Sequence, residues 1–308
     1  MDTTAGVRWD GVVTTDTEID VFEEHRPVLL GVAYRMLGRV ADAEDVVQEA
    51  WLRWSAADRT EVREPRAYLV RVTTRLAIDR LRQVKARGET YVGPWLPEPY
   101  VTDFGNTVPD TAERAVLADS VSLAVLVVME SLSPLERAVF VLREAFGYPY
   151  ADIAAMLERG EPAVRQLAGR ARKHVEERRP RYEVDPVQRR DLTERFLAAA
   201  GEGDLEGLMS LLAPDVRLVG DSGGKSKAPL RVLETADKVG RFIVGAAGKG
   251  GGIPDLSFRF LEVNGGPAIL VLSGDKPDSV FQMDVLDGRI QSVYIIRNPD
   301  KLRSLAAL

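Results

Sequence analysis

Apolar residues recur at helical spacing through the first half of the chain and in short strand-like runs through its last third. Val28, Leu29, Val32, Met36 and Leu37 repeat at steps of three and four, and Gly38 is placed to end that helix. From about Asp42 a second stripe runs through Val46, Val47, Ala50, Trp51 and Trp54, with Asp42, Asp45, Gln48 and Glu49 on the opposite face. A third helix begins near Pro65, with Tyr68, Leu69, Val72, Leu76 and Leu81 as its buried positions. Ser133-Pro134-Leu135-Glu136 reads as a capping box opening a helix that Gly147 stops. Tyr150–Leu157 is then a short helix, Glu158-Arg159-Gly160 a tight turn, and Pro162 to about Arg178 a longer helix. That is a helix-turn-helix pattern, with Val164, Leu167, Ala168, Ala171 and Val175 as its core stripe.

Beyond Pro180 the texture changes. Asp185 to about Leu212 is helical, and the runs Val216–Val219, Leu256–Leu261, Ala268–Leu272, Val280–Leu286 and Ile290–Ile296 read as strands. Asn264-Gly265, Gly274-Asp275 and Asp287-Gly288 separate the later runs, which predicts an antiparallel meander. The expected architecture is multidomain: two all-α units and an α+β cone. Gly88 to Asp110, rich in Gly, Pro and acids, joins the helical units. It holds Trp95-Leu96-Pro97-Glu98-Pro99, whose prolines forbid a regular helix and whose Trp-Leu pair calls for a packing surface.

Composition narrows the function classes. The 308 residues contain no cysteine, which excludes disulfides and thiolate metal sites and fits a reducing cytoplasm. No apolar run approaches the roughly 20 residues of a membrane span, and Met1–Glu18 lacks the pattern of a secretion signal, reading as a loose tail. No metal or cofactor is expected. The formal net charge is −6, yet cations cluster twice. Arg66, Arg71, Arg75, Arg80, Arg82, Lys85 and Arg87 face Asp79 alone between Pro65 and Arg87. Arg159, Arg165, Arg170, Arg172, Lys173, Arg178, Arg179 and Arg181 crowd the second stretch. Cations clustered in an anionic chain point to two separate contacts with a polyanion. On the helix-turn-helix, Arg165, Gln166, Gly169, Arg170, Arg172 and Lys173 project away from the core stripe, and Arg and Gln suit guanine and adenine edges. The acidic face of the second helix is, on spacing alone, equally an ordinary solvated surface.

These residues resemble the two DNA-reading domains of an extracytoplasmic-function sigma factor, the promoter-recognition subunit of bacterial RNA polymerase. Asp42-Ala-Glu-Asp-Val-Val-Gln-Glu-Ala-Trp51 resembles the segment of sigma domain 2 that docks on the polymerase β′ clamp, which implies that role for Asp45, Gln48 and Glu49. Pro65–Arg82 resembles the part that opens and reads the minus-ten element. The match puts Arg71 and Arg75 near the separated strand and Arg80 and Arg82 near phosphates, with Arg66 on the same minus-ten surface. Leu132–Arg172 resembles sigma domain 4, which binds the β flap and reads the minus-thirty-five element. There Arg143 falls at a backbone contact and Arg165, Gln166, Gly169, Arg170, Arg172 and Lys173 on the recognition helix, with Glu161 departing from the usual small polar residue. The implied division is a tail over 1–19, domain 2 over 20–87, a linker over 88–112, domain 4 over 113–180 and a third domain over 185–303.

That third domain resembles the SnoaL-like, NTF2-like family, in which a cone encloses a pocket that some members use to cyclise or isomerise small molecules. Asp215, Asp221 and Asp284 are the candidate bases, but both histidines, His25 and His174, lie outside the segment, so catalysis is not expected. A small ligand in the cone stays open. Sigma factors with this extension form a subgroup carrying Trp-Leu-Pro-Glu-Pro, Asn-Pro-Asp-Lys-Leu and an Asp-Gly-Gly-Gly-Arg/Lys loop. This chain has Asp221-Ser222-Gly223-Gly224-Lys225 at the last, with Ser222 replacing a glycine. The resemblance implies that the third domain sets sigma activity without a separate anti-sigma protein. The Asp221–Lys225 loop and the Asn298–Leu302 tail, with Asp221, Lys225, Asn298, Asp300 and Lys301, are expected to meet the domain 2 and linker surface, including Trp95 and Leu96. Two other readings compete: a ligand-sensing one-component DNA-binding regulator, and an isomerase or cyclase carried on a DNA-binding module.

Overall fold

The computed structural model describes residues 15–58, 62–87, 91–103, 122–177, 186–249 and 255–306. The expected tail, apart from 15–19, and Arg178, Arg179 and Arg181 lie outside them. Three helices form the first unit: α1 Thr15–Leu37, α2 Val40–Ser55 and α3 Pro65–Arg87. Gly38 ends α1 at φ +67, its N–H donating to Tyr34 O at 2.7 Å. The second unit holds α4 Leu123–Met129, α5 Pro134–Phe140, α6 Tyr150–Leu157 and α7 Glu161–Glu176. The capping box is formed, with Ser133 Oγ accepting from Glu136 N and Glu136 reaching back to Ser133 N at 3.1 Å. After α5 the helix widens into a π-turn over Val141–Ala145, so the run towards Gly147 is not one regular α-helix.

The third unit opens with α8 Pro186–Glu202 and α9 Leu205–Leu211. The expected single helix breaks at Gly203 (φ +73), and Asp204 caps the second piece through Gly207 N at 2.9 Å. Its sheet comprises β2 Leu212–Asp221, β3 Leu233–Glu234, β4 Leu256–Val263, β5 Gly266–Ser273, β6 Lys276–Leu286 and β7 Arg289–Ile296, with α10 Ala236–Lys249 between β3 and β4. β4 to β7 form the predicted antiparallel meander. β2 adds to β7 in parallel, and a strand from the linker, β1 Val101–Asp103, adds antiparallel to β4 at the other edge. Neither β1 nor α10 is legible in the apolar pattern.

The central strands of the sheet are buried on both faces, whereas β4 is exposed over Leu256–Phe260. Along β5, Ile269 and Val271 point into the core beneath α8, α9 and α10, while Ala268, Leu270 and Leu272 point into a second core. That second core is closed by Leu96 and Val101 of the linker, Leu123 and Ala124 of α4, and Leu302 and Leu305 of the C-terminal segment. α4 is shared, since Val125, Leu126 and Met129 enter the core of the two helical units instead. Those two units have one continuous core, running from Phe22 on α1 to Val175 on α7.

Candidate functional site

α2 presents Asp45, Gln48 and Glu49 to solvent because Ala43, Val46, Val47 and Ala50 take the buried stripe. Glu49 is paired with Arg53 at 3.1 Å. Asp45 lies 3.9 Å from Arg80 of α3, and Asp42 holds the same guanidinium at 2.8 Å, which keeps Arg80 protonated above its ordinary range.

The basic ridge of α3 is divided in use. Arg66 is exposed at its start, and Arg71 lies over the Tyr68 ring at 5.3 Å. Arg75 donates from Nε to Met156 O at 3.0 Å and pairs with Glu158 at 2.7 Å, both in the helix-turn-helix unit. Arg82 pairs with Asp79 at 3.3 Å. A cleft of about 540 Å³ lined by Tyr68, Arg71, Tyr148, Asp152 and Met156 separates the two units beyond this contact. A second tie is Arg137, 3% exposed, whose Nη1 donates to Met36 O and pairs with Glu130, each at 2.7 Å.

On α7, Gln166 and Gly169 are exposed, with open space at Gly169 where a side chain would stand. Arg165 pairs with Glu161 and stacks on Tyr150 at 4.7 Å; Arg143 reaches the same ring at 4.8 Å and donates to Tyr148 O. Arg170, Arg172 and Lys173 pair with Glu136, Glu144 and Glu177. All but Arg143 stay on the solvent side of α7, in exposed ion pairs that contribute little to stability.

The linker is gripped from both sides. Asp221, fully buried at the end of β2, accepts from Leu96 N at 2.7 Å, Tyr91 OH and Lys301 Nζ at 2.7 Å. Lys301 is 2% exposed and also donates to Leu96 O, with its ammonium 4.0 Å over the Trp95 ring. Burial holds the Lys301 ammonium below the ordinary lysine range, and Asp221 opposes that shift. Asn298 Nδ2 donates to Tyr91 OH at 2.8 Å. Lys225 pairs with Asp300, whose carboxyl is held below its ordinary range by that ammonium. Ser222 is no obstacle to the loop. It is absent from the residues of positive φ, and its Oγ accepts from Gly224 N. Gly223 and Gly224 carry the positive φ, and at Gly223 a Cβ would stand 2.5 Å from Asn298 Nδ2.

The linker's other side meets the first unit. Glu98 N donates to Gly38 O at 2.8 Å, Val40 N to Glu98 Oε2 at 3.0 Å, and Tyr34 OH to Glu98 O at 2.7 Å. Asn264 of the third unit donates through Nδ2 to Tyr34 OH at 2.7 Å, and its backbone N–H donates to Tyr100 O. Tyr34, Tyr91 and Asn264 carry no sequence signal for this role, since Asn264-Gly265 reads only as a turn.

The profile of Sigma-70 region 2 matches residues 21–87, and that of Sigma-70 region 4 matches residues 122–175. The chain is similar to SigJ of Mycobacterium tuberculosis, an ECF RNA polymerase sigma factor, at 42% identity over 92% of this chain and 93% of SigJ. The chain belongs to the extracytoplasmic-function family of RNA polymerase sigma factors. SigI of the same species, a probable ECF sigma factor, shares 33% identity over 92% of this chain and 94% of its own. The crystal structure of Mycobacterium tuberculosis SigJ superposes with TM-score 0.74 at 38% identity, covering 92% of this chain and 98% of that one. As an ECF sigma factor the protein directs transcription initiation, a family role that is not enzymatic. Its helical sigma domains are followed by a mixed seven-stranded sheet. No helix among the described residues is long and apolar enough to cross a membrane.

Proposed function

We propose that this sigma factor is held by its own third domain in a packed arrangement that core polymerase must open. Under this reading domain 2 spans about 20–87, the linker 88–112, domain 4 113–180 and the regulatory domain 185–303. Asp45, Gln48 and Glu49 engage the β′ clamp and domain 4 the β flap. Arg66, Arg71, Arg75, Arg80 and Arg82 serve the minus-ten element. Arg143, Arg165, Gln166, Gly169, Arg170, Arg172 and Lys173 serve the minus-thirty-five element. The protein acts in the cytoplasm and needs no separate anti-sigma factor, and the cone is a regulatory ligand site rather than an enzyme.

The observation that carries this is Arg75. A residue of the minus-ten ridge is spent on Met156 O and Glu158 at the end of α6, so the ridge is packed against the helix-turn-helix unit. A tethered domain acts at an effective concentration of order mM, so modest contacts suffice to bias the arrangement. Asp221, Lys301 and Asn298 clamp the linker whose other side rests on Gly38 and Tyr34. Run-off transcription from the full chain should differ from that of chains ending near Arg181 and after Arg297; identical output from all three overturns the regulatory reading. Core binding that survives Asp45→Ala, Gln48→Ala and Glu49→Ala together overturns the docking assignment.

A further inference from the structure

The third domain encloses a cavity of about 380 Å³, within the range of about 300–1,000 Å³ that small-molecule sites occupy. Its walls are apolar, with Phe196 of α8, Phe242 of α10, and Ile269 and Phe281 of the sheet. Leu256 and Phe258 line it too, yet stay 37% and 49% exposed, so apolar surface continues to the rim.

The polar lining is gathered together. Arg297 Nη2 donates to Asp278 Oδ1 at 2.8 Å and Nη1 to Lys227 O at 2.9 Å, and Ser279 Oγ donates to Asp278 Oδ2 at 3.0 Å. Asp278 is thereby satisfied. Arg297 lines the cavity, and its guanidinium carries more N–H donors than these two bonds use. Lys227 lines the cavity too, so two basic residues stand against the single carboxylate of Asp278 in its lining.

We propose that this cavity binds an apolar monocarboxylate. Its carboxylate is taken by the remaining N–H donors of the Arg297 guanidinium and by Lys227, and its hydrocarbon body lies against Phe196, Phe242 and Phe281. This rests on reading the cone as a ligand site and adds the chemistry of the ligand. The headgroup would sit one residue from Asn298, which holds Tyr91 of the linker. Linear fatty acids and ring acids share this chemistry, and the two are separated by the choice of probe.

The test is titration calorimetry on the full chain with octanoate, 2-naphthoate and octanol. At least one acid should saturate the protein about tenfold more tightly than octanol, as charge-assisted hydrogen bonding gives. Whichever acid binds better identifies a linear or a ring body. Arg297→Gln should erase the advantage over octanol; if it fails to fold, Lys227→Gln, at an exposed position, should reduce it. Ala246→Trp, at an exposed position of the lining, should abolish binding of every probe. Equal affinity for acids and octanol, lost in Ala246→Trp, overturns the headgroup assignment and leaves the cone as a ligand site. Saturation by none of the three overturns both, and binding that survives Ala246→Trp places the ligand elsewhere and overturns the site.

Discussion

Lys301 Nζ stands 2.7 Å from Asp221 Oδ2 with both side chains buried, and the Trp95 indole closes over the ammonium. A buried pair of this kind is strongly destabilised when one partner is removed, because the other charge is left without compensation. Lys301→Met should therefore cost about 3–5 kcal/mol, read from urea unfolding of the full chain. Adding Asp221→Asn should recover much of that loss. A double variant no better than the single would show that the loss lies in packing against Trp95.

Gly38 and Gly147 offer a matched comparison. Both are in the left-handed region, at φ +67 and +68. At Gly147 an added Cβ meets nothing within 4 Å, whereas at Gly38 it would lie 2.5 Å from Trp95 Cη2. Gly147→Ala should lose only the backbone term of about 1–2 kcal/mol. Gly38→Ala should lose more and make the linker newly sensitive to limited proteolysis. Equal losses at the two sites would remove Trp95 from the account.

Glu158→Lys tests the contact between the DNA-reading units. The Glu158 side chain is 76% exposed, so its pair with Arg75 is worth about 0.2–1 kcal/mol, and the substitution adds repulsion of similar size. The expected effect is a shift of a few-fold towards separated units. Since the chain has no cysteine, fluorophores on cysteines introduced at Val84 and Glu176, both exposed, report the distance cleanly. An unchanged transfer efficiency would count against Arg75 as a latch.

Burial raises the Glu98 carboxyl above its ordinary value of 4.5, against the opposing hydrogen bond from Val40 N. Above pH 4.5 the unfolded chain releases this proton before the native one does. The group's contribution therefore falls as pH rises through the native value. Glu98→Gln can still accept from Val40 N and carries no charge to bury. Its stability relative to the parent, from urea midpoints between pH 4.5 and 7, should grow with pH. A difference independent of pH would refute the assignment.

The helical units are legible because each buries a stripe, and period, caps and glycine stops agree from Val28 to Val175. α3 shows where that signal ends. A single stripe through Leu69 and Val72 is visible, but Val70, Thr73, Thr74, Ala77 and Ile78 are buried too, since α3 packs α1 and α2 on one side and the helix-turn-helix unit on the other. In the sheet, Ala268–Leu272 is apolar at every position, the mark of a strand covered on both faces. Its pattern does not say what lies on the second face. The linker and α4 do so, and strand β1 is only three residues long, too short to show a period. Of the residues named by resemblance, Asp221 and Lys301 contact Leu96 and Trp95, while Lys225 and Asp300 pair with each other; Tyr34, Tyr91 and Asn264 act through hydrogen bonds that leave no periodic trace.

α4 has one flank in the sigma core and the other on the sheet. Domain 4 therefore cannot swing away whole while the sheet keeps its cover. Either Leu123 and Ala124 peel from Leu270 and Leu272, or α4 stays behind and the chain bends after Met129. In the first case β1 still anchors the preceding chain at the sheet edge. The helix works as a hinge pin, and which leaf it follows fixes the travel of the DNA-reading head.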